Sequence, residues 1–74
     1  MPAETPFPWE HRLVSLPPVI GGWTVELWNP MARAWQRGPN APHWPAEYED
    51  AAREWVRVEN DAQGERNRAA GITA

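Results

Sequence analysis

The chain has 74 residues with six tryptophans and no cysteine, and its ten acidic residues exceed its seven basic residues by three. We therefore predict one small domain (1–74) that has a tryptophan-rich core and neither disulfides nor thiolate metal sites. The acidic balance argues against a protein that binds nucleic acid through its phosphates.

Residues 1–22 are rich in proline and end in Gly21-Gly22. Proline removes backbone donors and favours an extended residue before it, so we predict an extended arm with at most one short strand, residues 11–16. The arm carries too many apolar side chains for a free tail, and we expect it to lie on its own domain or on a partner. These side chains are Phe7, Trp9, Leu13, Leu16, Val19 and Ile20.

Residues 23–37 are predicted to form a β-hairpin. Trp23, Val25 and Leu27 alternate with polar neighbours and with Trp28, which is the period of a half-buried strand. Asn29-Pro30 favours a type I turn before a returning strand. A three-residue loop would place Trp35 opposite Leu27, on the core face, and would leave Trp28 on the other face.

Residues 45–63 are predicted to form an amphipathic helix. Pro45 suits the first helical position, apolar residues from Tyr48 to Ala62 recur at helical spacing, and Gly64 is a natural residue to follow the helix. An alternative makes 56–59 a strand that turns at 60–64. Residues 65–74 are polar and alanine-rich, and we predict a flexible tail.

These elements predict an α+β fold. A small antiparallel hairpin or three-stranded sheet is packed by one C-terminal amphipathic helix, with a proline-rich extended N-terminal arm. The apolar runs are too short to span a bilayer, and the first residues lack the features of a signal peptide, so we expect a soluble, cytoplasmic protein.

The sequence predicts no catalytic site, metal or cofactor. His11 and His43 are its only histidines, and no motif supplies a nucleophile, a base and an orienting group together. Two histidines and scattered carboxylates also lack the close spacing of a metal site. We therefore expect a non-enzymatic protein.

Three tryptophans are not required by the predicted hairpin and helix faces. Tryptophan is enriched at the centres of protein interfaces, so we predict a partner-binding surface anchored by Trp28, with Glu26 and Arg33 beside it. Trp9 and Trp44 either join this surface or pack the arm against the domain.

Part of the chain, residues 16–45, resembles a WW domain, a small three-stranded module that binds proline-rich peptides. The resemblance rests on Leu16-Pro17-Pro18, Gly22-Trp23, Arg33 and Trp44. The predicted second strand lacks the adjacent aromatic pair, the third strand is not threonine-rich, and Pro45 directly follows Trp44. Because these departures fall where the family binds its peptides, we assign the chain to no family.

The function predicted from the sequence is a non-catalytic protein-interaction module that inhibits or adapts a larger protein. All seven basic residues are arginine, as is typical of GC-rich genomes, and we expect a small accessory protein encoded by a phage and acting in the host cytoplasm. A protein partner is expected and homo-oligomerisation is open, whereas membrane and direct nucleic-acid binding are not expected. The alternatives are a minor virion component that uses its arm for assembly, and a tryptophan-based module that binds carbohydrate or nucleobase.

Overall fold

The computed structural model describes residues 5–72, which form a small α+β fold of four strands and one long helix. This confirms the predicted fold class. The strands are β1 (His11–Ser15), β2 (Trp23–Asn29), β3 (Ala34–Gln36) and β4 (His43–Trp44). A 3-10 turn (Ala46–Tyr48) leads into the helix α1 (Glu49–Ala69).

β2 is the central strand of an antiparallel sheet. β1 pairs along the whole of one edge, from His11 opposite Leu27 to Ser15 opposite Trp23. The other edge is divided, because β3 pairs with the last residues of β2 and β4 with its first two. The part of the arm predicted to hold one short strand therefore supplies an edge strand of the sheet.

Gly22 allows β4 to approach the start of β2. Its φ of +87° is in the left-handed region, and a side chain there would collide with the main-chain carbonyl of Trp44. β4 in turn places Trp44 directly opposite Trp23, so both side chains lie on the same face of the sheet.

The predicted hairpin register is wrong by one residue. Trp35 lies opposite Trp28, because the loop between Asn29 and Ala34 contains four residues and not three. The Asn29 side chain holds this longer loop by accepting hydrogen bonds from the N–H groups of residues 31 and 32. The Arg33 N–H closes the loop on the Asn29 carbonyl, at 2.8 Å. Trp35 therefore shares the face of Trp28 and not that of Leu27.

α1 packs on the face of β2 that carries Trp23, Val25 and Leu27. The ring of Trp55 lies edge-to-face against His11 and Trp44, with centroid distances of 5.8 Å and 5.5 Å. Among residues 5–72, the only apolar side chains buried to below a tenth exposure are Val25 and Ala52. Half-buried aromatic rings therefore contribute directly to this interface.

α1 continues five residues past Gly64, so residues 65–69 of the predicted tail are helical and 56–59 are not a strand. A glycine inside a helix costs only about 1 kcal/mol, which the packing of the later turns offsets. The glycine that ends the helix is Gly71, with φ of +75°. The N–H groups of Gly71 and Ile72 donate to the carbonyls of Arg68 and Asn67, forming a Schellman motif.

Two asparagines on α1 fasten the arm to the helix. The Asn60 side chain accepts a hydrogen bond from the His11 N–H at 2.7 Å and donates one to the His11 carbonyl at 3.0 Å. One amide thus replaces a neighbouring strand at the edge of β1. Asn67, which is 7% exposed, donates to the Pro8 carbonyl at 2.9 Å. Residues 8–11 are therefore fixed on the domain.

Replacement of Trp55 by alanine is expected to lower the free energy of unfolding by about 3 kcal/mol, because the ring contacts both β1 and β4. Val58 lies on the same helix and is 48% exposed, so Val58→Ala is the matched control. This substitution should change the free energy of unfolding by about 0.5 kcal/mol or less. Urea unfolding followed by circular dichroism measures both. Equal effects of the two substitutions would show that Trp55 does not join the layers.

Burial against the helix lowers the pKa of His11 below its ordinary 6.5, although Glu59 and Asn60 act in the opposite direction. Above pH 6.5 the ring is neutral in both the folded and unfolded chains. As the pH falls below 6.5, the unfolded chain takes up this proton first, so the free energy of unfolding should decrease. His11→Gln should remove this component of the pH dependence and His43→Gln should retain it, as measured by urea unfolding across this range.

Candidate functional site

The face of the sheet opposite α1 carries a pair of tryptophans. Trp28 and Trp35 are directly opposed across β2 and β3, and their rings meet edge-to-face with centroids 5.5 Å apart. Both side chains are half-buried. We call the surface formed by Trp28, Trp35, Arg12 and Glu26 the open face, because α1 packs on the other side of the sheet.

Arg12 and Glu26 lie beside this tryptophan pair. They are directly opposed in the register of β1 and β2, and their side chains form an ion pair of 2.6 Å. The guanidinium carbon of Arg12 also lies 4.3 Å from the centre of the Trp35 ring, which is a cation–π contact. The centre of the open face thus combines two indoles with a neutralised ion pair.

Trp9 adjoins Trp28 through the main chain. The Trp9 N–H donates to the Trp28 carbonyl at 2.9 Å, and the Trp28 N–H donates to the Glu10 carbonyl at 2.8 Å. Two residues of the arm therefore oppose one residue of β2, which is a β-bulge. Trp9 has φ of 64° and follows Pro8 in a turn closed by the Glu10 N–H and the Phe7 carbonyl. Glycine is the usual residue at this position of a type II turn.

Arg33, which lies beside the C-terminal end of β2, also has a left-handed backbone conformation. Its φ is 53°, and it ends the loop that joins β2 to β3. Within residues 5–72, Trp9 and Arg33 are the only residues other than glycine with positive φ. The sequence predicts Arg33 as part of the partner surface, and Trp9 as part of it or as packing for the arm. The Trp9 N–H donates to the Trp28 carbonyl, whereas the Arg33 N–H donates to the carbonyl of Asn29, the residue after Trp28.

Trp44 lies elsewhere. It is paired with Trp23 and packs on Trp55, on the side of the sheet that α1 covers, so it does not share a surface with Trp28. The structure adds Arg12 and Trp35 to the site instead. Recognising that Asn29 stabilises a four-residue loop would have placed Trp35 there, and an opposite-charge pair across β1 and β2 would have indicated Arg12.

Two further depressions border the helix. An apolar cleft of about 260 Å³ lies between residues 38–42 and the side chains of His11, Val25, Leu27 and Trp55. An open groove of about 770 Å³ lies between Phe7-Pro8 and the C-terminal half of α1. His43 lines neither of them; its Nε2 lies 3.3 Å from the Gly21 carbonyl. The two histidines are therefore not brought together in one cleft.

Comparisons with protein-family models, curated proteins and solved structures found no match to this chain. Between residues 5 and 72, no helix has the length and apolar character needed to cross a membrane. The same residues contain no group of three or more histidine, aspartate or glutamate side chains placed to hold a metal ion.

The left-handed backbone of Trp9 predicts an order of stability between two variants. Trp9→Gly and Trp9→Ala both remove the indole, but only glycine adopts this backbone without strain. We expect Trp9→Gly to be more stable than Trp9→Ala by about 1 kcal/mol in urea unfolding. Equal stability of the two would contradict the turn geometry.

Proposed function

We propose that this chain is a non-catalytic protein-binding module whose partner docks on the open face. The observation that carries the proposal is the pair of Trp28 and Trp35 on the side of the sheet that the helix leaves uncovered. Tryptophan and arginine are the residues most enriched at interface hot spots, and the open face has both at its centre.

The charges of the open face suit a protein interface. Arg12 and Glu26 neutralise each other, so burial of this pair by a partner would leave no single uncompensated charge. Arg12 also covers one side of the Trp35 ring. A carbohydrate or nucleobase that stacks on tryptophan needs a free ring face, so this arrangement favours a protein over such a ligand.

The backbone beside the open face supports the same proposal. Trp9 and Arg33 occupy left-handed positions that glycine adopts at lower cost, and both adjoin the strand ends next to Trp28. Residues in such conformations cluster at functional sites, where the side chain matters more than the local strain. A tryptophan and an arginine at these positions extend the surface available to a partner.

We further propose that the protein is a small phage-encoded accessory protein that inhibits or adapts a larger host protein in the cytoplasm. The support for this source is the lysine-free, arginine-rich and tryptophan-rich composition. A virion component that threads its arm along other subunits is less favoured, because residues 8–11 are hydrogen-bonded to the chain's own helix.

Affinity capture with matched variants tests the proposed surface. Wild-type protein, Trp28→Ala, Trp35→Ala and Val58→Ala would be used as baits in lysate of a GC-rich bacterium, and each captured protein would then be titrated against all four. A partner of the open face should lose about 2 kcal/mol of binding free energy with each tryptophan variant and keep its affinity for Val58→Ala.

Circular dichroism and urea unfolding of each bait provide the folding control. Trp28→Ala should remain folded and lower the free energy of unfolding by about 2 kcal/mol, since it loses one aromatic pair and the burial of a half-buried ring. If every captured protein binds Trp28→Ala and Trp35→Ala as tightly as wild type, the open face is not the binding site and the proposal is wrong.

A further inference from the structure

We infer that the segment docking on the open face is an acidic stretch of the partner protein, with an apolar side chain that meets the tryptophan pair. This inference rests on the function proposed above and specifies the chemistry of the partner. The observations that carry it are the placement and pairing of the arginines around β3.

Two arginines flank β3, one on each side of Trp35. Arg33 precedes the strand by one residue and Arg37 follows it directly. Arg37 is two residues beyond Trp35, the separation at which an extended chain returns to the same face of a sheet. Both side chains are exposed, and neither forms an ion pair with any residue from 5 to 72.

The third arginine near Trp35 contributes no net charge. Arg12 is held by Glu26 at 2.6 Å, so its charge is compensated within the open face. Glu10, the other carboxylate among residues 5–45, accepts a hydrogen bond from the Phe7 N–H at 3.2 Å. This hydrogen bond leaves the negative charge of Glu10 in place, but Arg33 and Arg37 outnumber it, so the net charge beside the tryptophan pair is positive although the whole chain is acidic.

The acidic surplus lies on the helical layer. Residues 46–69 contain seven carboxylates and four arginines, and three of those arginines are already paired with helix carboxylates. The molecule thus presents a positive rim around an aromatic centre on one side and negative charge on the other. A partner that carries carboxylates around an apolar anchor complements the first side and is repelled by the second.

Three short synthetic peptides test the inference directly. All three have leucine and phenylalanine at the same positions. The remaining positions are aspartate and glutamate in the acidic peptide, serine and glutamine in the neutral peptide, and lysine in the lysine peptide. An oligodeoxythymidylate provides a fourth probe. The readout is the shift of the Trp28 and Trp35 indole N–H signals in NMR titrations of the full chain at low and high salt.

The acidic peptide should shift both indole signals and bind about five-fold more tightly than the neutral peptide at low salt. The lysine peptide should bind more weakly than either. The difference between acidic and neutral peptides should disappear at high salt, because exposed charges are then screened.

Charge-removing variants identify the rim. Arg33→Gly removes a guanidinium at a position whose φ of 53° glycine adopts readily, so the fold should be retained. The double variant Arg33→Gly/Arg37→Gln should bind the acidic peptide about ten-fold more weakly than the wild-type chain, since each rim charge contributes modestly to affinity. Arg66→Gln is the matched control; this arginine lies on α1, where its guanidinium bonds Gln63, and its loss should leave affinity unchanged.

Any of the following results would overturn the inference: no indole shift with the acidic peptide, binding of the lysine peptide as tight as that of the acidic peptide or tighter, tighter binding of the oligonucleotide, or no effect of the double variant. Assembly of the chain with itself in sedimentation, with the same indole shifts, would also overturn it, because the occupant would then be a second copy. If a captured partner loses affinity for Trp28→Ala but not for the double arginine variant, the proposed function stands, and only the inference that the docking segment is acidic is wrong.

Discussion

The packing of Trp55 holds the layers of this small fold together. Its ring touches His11 at one edge of the sheet and Trp44 at the other, so a single helical side chain joins β1, β4 and α1. Few side chains are fully buried, and edge-to-face aromatic contacts supply much of the attraction that a larger core would give. Once this ring lies on one face of β2, the pleat of the strand sends alternate residues to the other face.

The arm is held in place mainly by polar contacts. Asn60 completes the hydrogen bonds of His11 as a neighbouring strand would, and Asn67 satisfies the Pro8 carbonyl from a buried position. These contacts fix the turn that carries Trp9, and through the bulge they fix the end of β2 that carries Trp28. The open face is therefore carried on a strand that these contacts support.

Local patterns in the sequence are sufficient for the fold class and the main elements. The alternation from Trp23 to Trp28 identifies the central strand, and the apolar spacing around Trp55 identifies the helix, because each period follows from backbone geometry alone. The same alternation separates Trp28 from the core side of β2. The α+β fold and one anchor of the candidate site thus follow from the residues themselves.

Other features of the fold depend on distant or competing contacts, which local patterns do not encode. A change of one residue in loop length reverses the face on which Trp35 lies. The side-chain hydrogen bonds of Asn29 stabilise the four-residue loop, which places Trp35 on the open face. The sequence favours Gly64 as the end of the helix, but α1 continues and closes at Gly71, and the contact of Asn67 with the arm favours this longer helix. Trp44 joins the core because β4 pairs with the start of β2, a long-range contact that no local periodicity encodes.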